Sequence, residues 1–126
     1  MENKFYGVKP VIENPSSSLS SHLEEITIQG YTIIENLLND EDLSKSIEKL
    51  DKIYHEQLTQ FGEENLKKIK EQNLVRSPLV YDDFFLSIVL KDPIIEIVKH
   101  FLGEYFIINQ QNGIINMPGE DHHQSA

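Results

Sequence analysis

The sequence predicts an α+β chain, and three observations carry that expectation. Leu43, Ile47, Leu50, Tyr54, Leu58 and Phe61 recur every three or four residues with charges on the other face, the pattern of a long amphipathic helix. Asp92-Pro93 opens another helical run, Ile94 to Leu102, that Gly103 closes. After Gly103 the period becomes that of extended chain, near Tyr105 to Gln110 and Gly113 to Asn116, so helices come first and strands last.

Residues 1–17 carry Pro10, Pro15 and the start of the run Ser16-Ser17-Ser18 and read as a loose arm; residues 18–126 read as part of a single domain. From Ser20, Leu23 and Ile26 predict a short helix ended near Gly30. Tyr31-Thr-Ile-Ile-Glu35 reads as a strand, because aromatic and β-branched residues follow one another without helical spacing. Asn39 or Asp40 caps the long helix and Gly62 ends it, with a weaker helical turn or two over Glu63 to Glu71. Arg76-Ser77-Pro78 reads as a break, since the residue before proline avoids the α region. Asp82 or Asp83 opens a helix through Phe85, Leu86, Val89 and Leu90, and Asp92 is the expected N-cap of the next.

Eleven basic residues against 21 acidic ones leave a formal charge of −10, a field that repels phosphate backbones and argues against nucleic acid as a partner. With no cysteine there is neither disulfide nor thiolate chemistry, which fits a reducing compartment. The N-terminus has no apolar signal segment, and no stretch approaches the roughly 20 apolar residues of a membrane helix. A cytoplasmic protein without membrane contact is the expectation. No phosphate-binding glycine motif and no internal repeat is present.

The last residues, Glu120-Asp121-His122-His123-Gln124-Ser125-Ala126, hold the donor types of an iron, manganese or zinc site. Adjacent residues of an extended chain point to opposite faces, whereas residues two apart, such as Asp121 and His123, are able to share a metal. A solvent-exposed polar loop is the other reading. His22, His55 and His100 stand alone within helical patterns, and His100 meets the negative end of its helix. Arg76, the one arginine, either clamps a carboxylate or pairs with one of the many acids. The amides Asn109, Gln110, Gln111 and Asn112 are poor strand formers; either Asn112-Gly113 is a tight hairpin turn or alternate amides face a polar cavity.

Gly30-Tyr-Thr-Ile-Ile-Glu-Asn36 followed by Leu37-Leu-Asn-Asp-Glu-Asp-Leu43 resembles the opening of the phytanoyl-CoA dioxygenase-like family. Asp92-Pro93-Ile94 through Phe101-Leu102-Gly103 is similar to that family's short helix ending in a leucine-glycine step, and Tyr105 through Met117-Pro118-Gly119 to its first core strands. The resemblance runs from about residue 20 to the end. It implies a non-haem iron(II), 2-oxoglutarate-dependent oxygenase that hydroxylates a small organic substrate. The fold it implies is a double-stranded β-helix, jelly-roll or cupin-like, of which this chain holds an incomplete N-terminal portion.

The family's His-x-Asp pair and distant histidine have no match here, since Asp121-His122-His123 runs in the wrong order, and His122 and His123 do not occupy ligand positions. The resemblance therefore places the metal ligands beyond Ala126, with no tight binding of iron or 2-oxoglutarate by this chain alone, and makes the fragment itself inactive. It assigns one cofactor-binding residue, Gln111, whose amide faces the co-substrate. Unpaired strand edges would then invite self-association. The competing expectation is a small acidic, non-enzymatic module whose long amphipathic helix docks on a partner protein.

Overall fold

The computed structural model describes residues 17–119. Asp121, His122, His123 and all of the expected arm over residues 1–17 except Ser17 lie outside the described residues, and Ser17 is corrected from arm to helix. The described residues divide into two compact units, one of residues 17–37 and 87–108, the other of residues 38–86 and 109–119.

In the first unit α1 (Ser17–Gln29) and α6 (Asp92–Leu102) pack together. Leu19 and Leu23, four apart on one face of α1, close over Ile97 of α6, with Ile26 and Ile34 against them. Gly30 ends α1 at φ +86, a conformation that costs a side-chain-bearing residue but not glycine, and its N–H reaches the Ile26 carbonyl at 2.9 Å. Residues 31–34 have no regular secondary structure, with Thr32 and Ile34 half-buried and Tyr31 and Ile33 outside, Ile33 69% exposed. The expected strand there is corrected to a segment without a ladder: burial alternates as in a strand, but no backbone neighbour among the described residues completes one.

The start of α6 also differs from expectation. Lys91, with extended backbone, is the N-cap, and Asp92 lies in the first turn, where its charge faces the positive helix end. Gly103 closes α6 at φ 84 as the sequence implies. Beyond it Tyr105 and Ile107 are 87% and 85% exposed, and residues 105–110 form no strand, against expectation.

The second unit is built on α2 (Asp40–Phe61). The Asn39 carboxamide oxygen accepts the Asp42 N–H at 2.7 Å, Asp40, Glu41 and Asp42 complement the positive end, and Gly62 closes the helix at φ 81. Next come α3 (Glu63–Lys68), β1 (Leu74–Arg76) and α4 (Pro78–Tyr81), and after the boundary-crossing α5 (Asp83–Val89) and α6, β2 (Asn112–Ile114). β1 and β2 pair antiparallel with Leu74 opposite Ile114, Val75 opposite Gly113 and Arg76 opposite Asn112. Val75 is wholly buried. A methyl on Gly113 would stand 2.9 Å from Leu50 Cδ2 and 3.3 Å from Val75 Cβ, so the missing side chain lets β2 approach α2 and β1.

Two expectations are corrected here. Asn112-Gly113 is not a hairpin turn but the body of β2, whose partner lies far upstream. Arg76-Ser77-Pro78 is more than a break: Leu74–Arg76 is a strand, Ser77 turns the chain at φ 45, ψ 54, and Pro78 starts α4, where its missing N–H is not needed. The described residues are thus α+β, helices with one small antiparallel sheet, and no helix among them is long and apolar enough to cross a membrane.

Candidate functional site

The amides singled out by the sequence converge on the start of α4. The first N–H groups of a helix have no partner within it and need an acceptor from elsewhere. Gln111 Oε1 accepts the Leu79 N–H at 3.1 Å, and Asn112 Oδ1 accepts the Ser77 N–H at 3.4 Å. Gln111 Nε2 also donates to the Phe85 carbonyl in α5 at 3.2 Å. Two side chains from the β2 segment therefore do for α4 what Ser77 does not, since Ser77 makes no side-chain cap bond. Gln111 is held at both ends of its amide, and each end retains capacity for one more bond: a second N–H and a second lone pair.

On the other edge of β1 a third amide performs a similar task. Gln57, 4% exposed on α2, receives the Arg76 N–H on Oε1 at 3.1 Å and donates Nε2 to the Arg76 carbonyl at 2.8 Å. A side-chain amide here stands in for a neighbouring strand, satisfying both backbone groups of an edge residue. Sequence reasoning passed over Gln57, although a neutral amide at the position where the apolar stripe of α2 needs filling was the signal.

Arg76 reaches Glu71 in two-pronged fashion, through Nε to Oε2 at 2.6 Å and through an Nη to Oε1. The guanidinium beside it holds the Glu71 carboxyl below its ordinary value, and hydrogen bonding to Glu71 in turn raises Arg76. Of the two readings of Arg76, the pairing with an acid of the chain is thus present. Lys49 of α2 pairs with Asp82, whose carboxyl is lowered first by that bond and then by the Phe84 N–H donated to Oδ1 at 2.9 Å.

The histidines are dispersed. Thr32 Oγ1 lies 2.7 Å from His22 Nδ1 and donates to Glu25 Oε2 at 2.5 Å, which ties the segment after Gly30 to α1. His55 is exposed, 3.6 Å from Asp51, and His100 packs edge-on to Phe101 at 5.1 Å between ring centroids. Among the described residues no group of three or more His, Asp or Glu is arranged to hold a metal ion.

The chain is similar to an uncharacterized protein of Mycobacterium bovis and to one of Mycobacterium tuberculosis, each 26% identical over 106 residues. The match takes in 84% of this chain and 39% of either relative, so the chain spans about two fifths of their length. No family model matches the chain, and no solved structure does.

Proposed function

We propose that this chain is the N-terminal portion of a phytanoyl-CoA dioxygenase-like oxygenase, a cytoplasmic enzyme dependent on iron(II) and 2-oxoglutarate that acts on a small organic molecule. The observation that carries the reading is the pre-set amide of Gln111. Its orientation is fixed by Leu79 and Phe85 while one N–H remains to donate to a co-substrate carboxylate or carbonyl. Two further features agree with it. A segment led by Gly30, the long helix capped by Asn39 and the short helix closed by Gly103 follow one another in the order of the family's opening, with residues 31–35 unpaired instead of laddered. Apolar side chains of the segments around Tyr31 and Tyr105 stand exposed as those of a β-helix's first strands would before their neighbours pair with them, and in isolation they favour self-association.

The described residues offer no ligand set that fits iron, so no iron step is assigned to them. Their part in the reaction is to orient the co-substrate. In the complete enzyme one atom of dioxygen enters the substrate as a hydroxyl, the other enters succinate, and 2-oxoglutarate loses carbon dioxide. Nucleic acid and membrane are not partners in this reading.

The test uses the full polypeptide encoded with this segment, assayed for succinate formed from 2-oxoglutarate with iron(II). Iron-dependent succinate, with the KM for 2-oxoglutarate raised in Gln111→Leu, is expected. Absence of any iron-dependent turnover in the full polypeptide would sink the reading and leave the non-enzymatic docking module in its place.

A further inference from the structure

A second feature of the α2 unit stands apart from Gln111. A cavity of about 560 Å³ opens between the end of α2, α3, β1 and α4, within the range of small-molecule pockets. Phe61, Leu66, Ile69, Leu74 and Val80 make its walls apolar. β1 supplies the reason for its two-sided character: Leu74 and Arg76, two residues apart, both line it, while Val75 between them is buried in the core. The residues bracketing β1, Lys70 and Ser77, hold positive φ without being glycine, at 60 and 45. Such conformations persist only where surrounding structure imposes them, and they cluster at ligand sites.

The polar end of the cavity is Arg76 with Glu71. A guanidinium carries five N–H donors, and Glu71 engages two nitrogens of Arg76, so donors remain on the edge turned away from Glu71. Glu71 is the more covered partner, at 20% exposure against 58% for Arg76, and so acts as the anchor that aims the guanidinium. Ser77 and Tyr81 also line the cavity. We propose that this cavity binds a small carboxylate with an aliphatic or aromatic body, its head on the outer edge of Arg76 and its body against Phe61, Leu66 and Val80. The proposal is independent of the oxygenase reading, since it uses none of the residues that reading depends on.

The experiment titrates the full chain with octanoate, 1-octanol and octylamine, three probes that share a body and differ in the head, following the backbone amides of residues 74–81 by NMR. Octanoate is expected to bind with a Kd below about 1 mM and at least about tenfold more tightly than octanol, the scale of a charge-assisted hydrogen bond. In Arg76→Gln that preference should vanish while octanol binding persists. The backbone of residue 76 is held by Gln57 rather than by its own side chain, so this variant keeps the strand. Octanoate no tighter than octanol, octylamine the tightest of the three, no binding by any, or shifts confined to other residues would each overturn the proposal. The wild-type series decides this even if Arg76→Gln does not fold.

Discussion

Replacing Gln57 by leucine isolates what a side-chain amide contributes when it substitutes for a strand. Leucine has a similar bulk and suits the buried face of α2, so packing is largely kept, but the Arg76 N–H and C=O lose their partners together. A buried backbone group left unsatisfied costs about 1–3 kcal/mol, and the apolar replacement returns part of that as a better-suited buried side chain. We expect a net loss of about 2–4 kcal/mol, a large share of the stability of a chain this size. In urea, where m is about 1–3 kcal/mol/M, the midpoint should fall by about 1–2 M with m unchanged. Hydrogen exchange gives the local readout: the Arg76 amide should lose protection beyond the global loss, whereas amides of α1 should not. A midpoint shift below about 0.3 M with the Arg76 amide still protected would show that water serves the edge of β1 as well as Gln57 does, and would refute the reasoning.

Gly113→Ala should destabilise by about 1–3 kcal/mol through overpacking between Leu50 and Val75, and a double-mutant cycle with Leu50→Ala should show the two changes partly offsetting. Ile97→Ala should cost about 2–4 kcal/mol and loosen α1 and α6, seen as faster hydrogen exchange at Leu23. Asp82 has a folded-state pKa below its unfolded value, so its contribution is present above the unfolded value and is lost as pH falls through the folded one. Wild type should therefore lose stability below about pH 4 more steeply than Asp82→Asn, measured by thermal melts from pH 2 to 7.

The long-period elements of this fold are legible because their causes are local. Asn39 marks the start of α2 by its side-chain cap, Gly62 and Gly103 mark helix ends by positive φ, and the spacing from Leu43 to Phe61 follows from 3.6 residues per turn. β1 was missed for the opposite reason. Three residues show no period, and Val75 becomes a strand residue only because Gly113, distant in sequence, lies opposite it. The residues over 31–34 failed in the other direction: their composition favours a strand, but a ladder needs a neighbour, which composition does not contain.

The candidate site divides along the same line. Amides at 109–112 stood out as misplaced in a strand, so the sequence alone marked Gln111 and Asn112 as residues with a task. What that task is depends on where α4 begins, because capping across a fold requires the bare N–H groups of one element to meet the side chains of another. Gln57 and the Glu71 partner of Arg76 likewise emerge only in three dimensions. Sequence by itself determined the long helix and both its ends, the glycine ends of α1 and α6, the acidic charge and the oddity of the amide cluster, all of which depend on residues within a few positions of one another. Strand pairing, the hydrogen-bond partners of the amides and the cavity beside Arg76 were decided by tertiary structure, because each joins groups that chain order leaves far apart.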